Sequence, residues 1–457
     1  MESDKLGKEP VGRLIFRMAL PTVTAQLVNL LYNIVDRIFI GHIPEVGNTA
    51  LTGVVVHPII VIISAFSAFF GNGGAPLAAI ALGRGDRDKA EKILGNCVTM
   101  LTALSVILPT AVFISMKPLL YAIGASEATY TYATDYLSIY LLGTVAVLLT
   151  MGLAPFIVAQ GRSKLVMVAT VASALTNIVL DPLFMFVLLP KGYEVLGAAL
   201  ATLLSNLVSF VYFIVVYQKV RSKTVLALPR RIERVQKSSM RAIFSVGVPA
   251  ALSLLLYDLT NIIINKLSSG HGDIELAAMG IILKVERLPL NICVGICLAM
   301  MPLVAYNFAS GDRQRMLAFF RISRRAGLAV AVVCIALYWP FAPQIMHAFI
   351  HDEQTVALGT VYLRARCFAP IMMFLCFHMV HYMQALGKGG VSLALAAIRQ
   401  LGMNIPLLLL LDHFFGMTGI IWTQVTADAL TAVISYLIYA HVKRGLEVPD
   451  GTKTGSA

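Results

Sequence analysis

Hydrophobic runs recur along the whole chain, separated by short polar segments. Clear examples are Val98–Ile114, Tyr136–Ala159, Leu165–Leu189 and Gly327–Phe349. A helix needs about 20 mainly apolar residues to cross the hydrocarbon core of a bilayer. No polar stretch is long enough for a separate soluble domain. The pattern predicts an all-α integral membrane protein with twelve transmembrane helices, at approximate positions 14–40, 52–82, 93–115, 132–159, 165–189, 195–217, 242–266, 276–308, 317–349, 357–385, 391–411 and 417–441.

Composition and charge placement support this interpretation. Hydrophobic residues make up 58% of the chain and charged residues 13%, whereas soluble domains carry about 25% charged residues. The net charge of +12 first suggests a nucleic-acid partner. However, the lysines and arginines concentrate in alternate loops, among them 84–92, 219–241 and 313–325. By the positive-inside rule these loops and both termini are cytoplasmic, so no nucleic-acid partner is predicted.

The second half of the chain repeats landmarks of the first. The triplet Gly-Asp-Arg occurs at 85–87 and again at 311–313. Single residues recur at the same offset, namely Pro76 as Pro302 and Gly161 as Gly387. Such repetition indicates internal duplication, with six spans in each half and the same orientation for both.

The duplication predicts two six-helix lobes. The N-terminal lobe comprises 1–217 and the C-terminal lobe 242–445. A cytoplasmic linker at 218–241 joins them, and 446–457 form a C-terminal tail. The linker is rich in lysine and arginine, which favours contact with anionic lipid headgroups.

Polar side chains in the first half align at helical spacing. Span 1 carries Gln26, Asn29, Asn33 and Asp36 at steps of three or four residues, span 5 carries Asn177 and Asp181, and span 6 carries Thr202. Polar groups inside a membrane are costly, so these stripes should face the protein interior. Two carboxylates, an amide and a hydroxyl suit a monovalent cation or a shared proton. Hydrogen bonding between helices is the simpler alternative for a single Asn or Thr, whereas the two aspartates favour a cation site.

Near the first span the repeat is offset by 228 positions, since the segment Phe16–Pro21 matches Phe244–Pro249. At that offset the counterpart of Asp36 is Ile264, so the second half does not repeat this acid pattern. Its own acidic residues inside the spans are Asp258, Glu286 and Asp428. Glu286 is either a structural partner of a nearby cation or a substrate contact, and the sequence leaves both open. Arg366 enters span 10 near its predicted outer end, where it is expected to extend towards the interface.

Flexible and aromatic side chains indicate a cavity for apolar guests. Met300 in span 8 and Phe377 in span 10 are examples, although core packing explains them equally well. Pro21 in span 1 permits a bend in the helix that carries Asp36. The six cysteines fall in apolar stretches without metal-site spacing, so they are predicted to be packing residues, and no metal is expected beyond Na⁺ at the coupling site.

Five segments carry a family resemblance: LYNIVDRIFIG at 31–41, the region of Pro76 with the following 85–87, QGR at 160–162, NIVLDP at 177–182 and GAALAT at 197–202. Together they resemble the multidrug and toxic compound extrusion (MATE) family over essentially all twelve spans. The resemblance implies a prokaryotic drug exporter with two lobes around a central cavity. It also implies that Asp36, Asn177, Asp181 and Thr202 form a cation site in the first lobe.

The favoured function is a multidrug antiporter coupled to H⁺ or Na⁺, exporting amphipathic and often cationic molecules. No Walker motif supplies ATP energy and no catalytic motif is present, so neither a cofactor nor an enzyme activity is predicted. A flippase for lipid-linked sugars, a channel and a receptor remain open alternatives. The expected partners are small-molecule drugs and the lipid bilayer, and the expected form is a monomer in the cell (inner) membrane.

The predicted topology can be tested with one introduced cysteine at Lys237, on the cytoplasmic side. Lys237→Cys should resist an impermeant thiol reagent added to intact cells and react once the cells are permeabilised. Lys191→Cys, in a predicted outer loop, is the matched control and should react in intact cells. Labelling of position 237 from outside would refute the topology.

Overall fold

The computed structural model describes residues 3–41, 43, 56–220 and 236–447. All the regular elements within these ranges are helical. Ten helices are long and apolar enough to cross a membrane, and two further helix pairs each qualify as one bent span. The predicted all-α membrane fold of twelve spans is confirmed, and helix ends agree with the prediction to within several residues. The predicted start of span 2 at 52, most of the linker and most of the C-terminal tail lie outside the described residues.

The helices of the first half are, in order, α1 (Ser3–Lys8), α2 (Val11–Gly41), α3 (His57–Gly83), α4 (Arg87–Ile114), α5 (Met116–Ala122), α6 (Glu127–Leu142), α7 (Thr144–Ala159), α8 (Ser163–Leu183) and α9 (Glu194–Val220). A short π-helical segment, Phe184–Leu188, extends α8.

The helices of the second half are α10 (Lys237–His271), α11 (Asp273–Ala309), α12 (Arg313–His347), α13 (Glu353–Arg366), α14 (Ala369–Ala385), α15 (Gly389–Ala397), α16 (Ile405–Phe415) and α17 (Met417–Glu447). A second π-helical segment, Ile398–Asn404, joins α15 to α16.

The two halves repeat the same irregularities in the same order. The fourth span of each half is a bent pair, with 58° between the two parts in the first half and 45° in the second. The fifth span of each half contains a π-helical segment. In a π-helical segment each backbone hydrogen bond spans five residues in place of the four of an α-helix, and such segments are often found at functional sites.

The repeated Gly-Asp-Arg triplets form the same helix start. Gly85 and Gly311 both have positive φ, 78° and 84°, a conformation that glycine adopts without steric cost. The following aspartates then cap α4 and α12 by accepting hydrogen bonds from the backbone N–H groups of Lys89 and Arg315, at 3.0 and 2.9 Å. The sequence repeat is therefore also a structural repeat.

The helices pack into two compact units. Unit 1 contains Met1–Leu255, Asn291–Ala326 and Tyr382–Leu393, and unit 2 contains Leu256–Leu290, Gly327–His381 and Ala394–Ala457. Unit 1 thus includes parts of both sequence halves. The predicted lobe boundaries stay a prediction.

Within unit 1, the short helix α1 is anchored to α11 and α12. Leu6 is 2% exposed, and its carbonyl oxygen accepts hydrogen bonds from Arg315 Nε and Nη2 at 3.3 and 3.1 Å and from Asn307 Nδ2 at 3.4 Å. Arg315 also donates to the carbonyl of Glu9. The Glu9 carboxylate forms an ion pair with Arg17 at 2.7 Å. One arginine of the second half therefore holds the N-terminal segment of the first.

Removing these donors should release the N-terminal segment. In a Leu6→Cys background, Arg315→Met should raise the rate of thiol labelling at position 6 by roughly tenfold or more, because each hydrogen bond from a charged donor contributes about 1.5–3 kcal/mol. Arg321→Met is the matched control, since Arg321 is exposed and donates to the carbonyl of Leu317 within its own helix. Equal labelling rates in the two variants would contradict the anchoring role.

Candidate cation site

The candidate site lies where α8 packs against α2 and α9 in unit 1. Asn177 and Asp181 are one helical turn apart on α8, so they share a face. Asn177 Nδ2 donates to Asp181 Oδ1 at 3.1 Å and to Thr202 Oγ1 on α9 at 3.4 Å. The structure therefore brings together three of the residues that the sequence selected.

This cluster is buried and keeps free acceptor atoms. Asn177 and Asp181 are 0% exposed and Thr202 is 4% exposed. Within the described part of the chain, Asn177 Oδ1 and Asp181 Oδ2 accept no hydrogen bond. Buried polar atoms almost always have a partner, and an amide oxygen beside a carboxylate oxygen is a set of ligands that suits a hard cation.

Asp36 reaches the same region from α2. Its side chain is half-buried, and its carboxylate interacts electrostatically with that of Asp181. Two neighbouring carboxylates repel each other, so sharing a proton or a cation between them is favourable. The pair of aspartates predicted from the sequence is thus found in one place.

Three tyrosines surround the aspartates and were not among the predicted residues. Tyr136 and Tyr140 on α6 are buried, and Tyr136 shares a hydrogen bond with the side chain of Thr202. Tyr32, one turn before Asp36 on α2, interacts electrostatically with Asp36 and with Asp181. The sequence did contain one signal, the four-residue spacing of Tyr136 and Tyr140. Tyrosine is common in helices, so this spacing alone does not identify site residues.

The polar stripe of α2 does not enter the site as a whole. Asn29 and Asn33 are exposed and Gln26 is half-buried. Asn33 Nδ2 donates to the backbone carbonyl of Asn29 at 2.6 Å, so this amide is used within its own helix and not at Asp181. Pro21 is buried inside α2, which continues as one helix through it.

In unit 2, Glu286 is engaged by an arginine. Arg366 Nε and Nη2 donate to the two oxygens of Glu286 at 2.6 and 2.8 Å. Arg366 is 1% exposed, so the expectation that it extends to the interface is wrong: its charge is neutralised inside the protein. Its neighbour Arg364 is half-buried; its guanidinium lies 5.3 Å from the ring centre of Trp339, and its Nε donates to the carbonyl oxygen of Trp339 at 3.1 Å.

Asp428 is engaged in the same way by Arg399. Arg399 Nε and Nη2 donate to the two carboxylate oxygens at 2.7 and 3.0 Å, and Gln424 Nε2 donates to Asp428 Oδ2 at 2.6 Å. The Arg399 guanidinium also lies 4.4 Å from the ring centre of Phe377. Asp428 and Phe377, both selected from the sequence, are therefore brought together by one arginine.

The remaining candidates are dispersed. Met300 is 0% exposed inside unit 1, so packing accounts for its side chain. Asp258 is half-buried in unit 2. All six cysteines are described, buried and outside any disulfide bond, as expected for packing residues. The described residues contain no group of three or more His, Cys, Asp or Glu side chains placed to hold a metal ion.

Buried charges differ between the two halves. Among the described residues, the buried Asp, Glu, Lys and Arg side chains are Asp181, Glu286, Arg366, Arg399 and Asp428. The last four form two ion pairs. Asp181 forms no ion pair with any described lysine or arginine, and it is the buried acid whose charge remains to be balanced.

Repeated halves of six spans, with an uncompensated acid among the helices, define a polytopic membrane protein of the kind that moves ions or solutes. The MatE family model matches residues 21–183 and 249–410, one segment in each half. The chain therefore belongs to the MatE family, the MATE transporters, as the sequence resemblance indicated.

Similar proteins agree with this assignment. The chain is 27% identical over 438 residues to the multidrug export protein MepA of Staphylococcus haemolyticus, covering 96% of this chain and 95% of that protein. It is 26% identical to MepA of Staphylococcus saprophyticus, covering 94% of each. A solved outward-facing structure of a multidrug resistance MATE transporter superimposes with a TM-score of 0.90 at 21% identity, covering 97% of this chain and 98% of that chain.

The Glu286–Arg366 pair can be tested through stability. Glu286→Gln should lower stability by about 3–5 kcal/mol, because it leaves a buried arginine without its counter-charge, whereas Glu286→Gln combined with Arg366→Met should recover most of the loss. Thermal unfolding of the purified protein measures both. Arg321→Met changes an exposed arginine, so it is the control and should change little; an equally small effect of Glu286→Gln would show that the pair is not a structural element.

Proposed function

We propose that this protein is a cation-coupled multidrug antiporter that exports amphipathic, often cationic, small molecules by alternating access. The observation that carries the proposal is the buried Asp181 carboxylate, which has no described cationic partner and lies beside Asp36 and the free carbonyl oxygen of Asn177. Its charge must be balanced by something exchangeable, and H⁺ and Na⁺ both fit the available oxygens.

In the proposed cycle, a cation entering from outside neutralises the pair of aspartates. Coupling requires that cation-bound and cation-free forms favour different conformations, because a ligand shifts an equilibrium only by its differential affinity for the two states. Each elementary charge that moves inward through about 100 mV releases about 2.3 kcal/mol. This energy and the cation gradient would drive drug export without a cofactor.

The drug would contact polar and aromatic side chains distinct from the cation site. Candidates with accessible side chains are Gln26, Asn29, Asp258 and Phe377. Glu286 and Asp428 are weaker candidates, because each carboxylate is held by two hydrogen bonds from an arginine. The names of the MepA relatives support drugs as the substrate class.

Several further properties follow from this proposal. The basic loops support a topology with both termini in the cytoplasm, for a protein of the cell (inner) membrane. A monomer suffices, because the proposed cation ligands all come from one chain. A flippase for anionic sugar lipids is less well supported, because both buried arginines of the described chain are already paired with acids.

The proposal is tested by neutralising each aspartate without changing its size. At matched membrane levels, Asp36→Asn and Asp181→Asn should each lower gradient-driven efflux of a fluorescent cation by roughly tenfold or more, because the drug can no longer draw on the cation gradient. ΔpH and a Na⁺ gradient, imposed separately in sealed vesicles, identify the ion.

Asp88→Asn is the matched control. Asp88 is exposed and pairs with Lys92 one turn away on α4, so its loss should leave export unchanged. If both Asp36→Asn and Asp181→Asn export like the parent, the coupling site is wrong. Poor folding of Asp36→Asn with normal coupling of the surviving protein would instead assign a structural role.

A further inference from the structure

The sixth span of each half begins against the end of the fifth in the same way. A Cβ on Gly197 would lie 2.9 Å from the backbone of Phe184, and a Cβ on Gly419 would lie 2.0 Å from the carbonyl oxygen of Leu411. Glycine is therefore required at both points of close approach. Thr202 and Gln424 follow these glycines at the same distance along α9 and α17, which places them at matching positions.

An asparagine on the preceding span meets each of these residues. Asn177 Nδ2 donates to Thr202 Oγ1 at 3.4 Å, and Asn404 Nδ2 donates to Gln424 Oε1 at 3.2 Å. Both asparagines are buried, and both keep a side-chain oxygen that accepts no hydrogen bond from the described residues. The second half thus contains a structural counterpart of the candidate cation site.

In each half a buried carboxylate is hydrogen-bonded to one member of the asparagine-containing pair, which is Asn177–Thr202 in the first half and Asn404–Gln424 in the second. The other groups that donate to the carboxylate differ between the halves. In the first half, Asp181 accepts one hydrogen bond from Asn177. In the second half, Asp428 accepts two from Arg399 and one from Gln424. Arg399 belongs to the π-helical segment Ile398–Asn404, which also contains Asn404.

We propose that Arg399 is a built-in cation which occupies the second half's counterpart of the cation site, and that it thereby restricts cation exchange to the first half. This inference rests on the proposed function, since it says that Arg399 determines how many cations are exchanged per transported molecule. Arg399 acts through Asp428 and is therefore a positioning residue for coupling.

The charge balance of unit 2 supports this role. Two buried acids, Glu286 and Asp428, are balanced by two buried arginines, Arg366 and Arg399. Removing the charge of Arg399 leaves one negative charge in excess. An isolated buried carboxylate is strongly unfavourable, so Asp428 must then take up a proton or a metal cation.

Among the buried residues that the structure describes, the other arginine near this pair is Arg366, and its charge is already balanced by Glu286. Arg366 interacts electrostatically with Asp428 but is held by both oxygens of Glu286. Tyr257 and Cys376 also interact with Arg399 or Asp428, and neither carries a positive charge. An added cation would find the carboxylate oxygens of Asp428, to which Asn404 is linked through Gln424.

The test compares the parent with Arg399→Gln and with Arg399→Gln combined with Asp428→Asn. In proteoliposomes without a membrane potential, the drug gradient at zero net flux is measured against imposed H⁺ and Na⁺ gradients, which gives the cations exchanged per drug molecule. Arg399→Gln should exchange one cation more than the parent. The double variant should return to the parental number, because Asp428→Asn removes the negative charge that the extra cation would balance.

A purely structural ion pair predicts otherwise: Arg399→Gln would keep the parental number, and that result overturns the proposal. A second measurement applies if Arg399→Gln is only marginally folded. Thermal unfolding of Arg399→Gln should shift to higher temperature with lower pH or added Na⁺, whereas that of the double variant should shift no more than the parent's. Instability of Arg399→Gln at every pH and Na⁺ concentration also overturns it.

The same assay separates this inference from the proposed function. Gradient-driven transport at the parental level in both Asp36→Asn and Asp181→Asn refutes the first-half coupling site. The extra cation expected for Arg399→Gln is measured in a protein with Asp181 intact. Its presence or absence therefore does not depend on the outcome for Asp181→Asn.

Discussion

A charge buried inside a membrane-embedded helix bundle must be neutralised, and this constraint shapes the whole molecule. Water is not available to solvate it, so the choices are an opposite side chain, a proton or a bound ion. Glu286 and Asp428 are neutralised by arginines with two hydrogen bonds each. Asp181 has no described cationic partner. This contrast distinguishes the ion pairs of unit 2 from the proposed coupling site at Asp181, although both are built around the same type of carboxylate.

Duplication explains why this contrast is visible. The two halves share their bent fourth spans and their capped Gly-Asp-Arg turns, and in both an asparagine of the fifth span donates a hydrogen bond to a side chain of the sixth. Backbone geometry is set by glycines, caps and span lengths, which the repeat has kept. Charge placement is set by single side chains, which can change without altering the fold. The buried acid is Asp181 on the fifth span in the first half and Asp428 on the sixth span in the second. The hydrogen bond from an asparagine of the fifth span to a side chain of the sixth is present in both halves.

The sequence predicted what local spacing and bilayer thickness dictate. Span number and order follow from run length, and the meeting of Asn177 with Asp181 follows from a four-residue step. Asn33 has the same kind of spacing as Asp36 but is exposed, because a helical stripe defines a face and not the part of it that meets a neighbour. The Glu286–Arg366 pair was missed because its members lie far apart in the sequence. Tyr136 was missed for the same reason: its hydrogen bond to Thr202 joins two different spans.

Magnitudes indicate which of these charges can take part in a transport cycle. Breaking a buried ion pair costs about 3–5 kcal/mol, whereas one charge moving through about 100 mV releases about 2.3 kcal/mol and a tenfold cation gradient adds about 1.4 kcal/mol. One cation per cycle therefore barely supplies the energy to open one pair and would leave little for moving a drug. The pairs of unit 2 should stay closed throughout the cycle. The proposed exchange at Asp181 would break no such pair, so the energy of the cation would remain available for the conformational change.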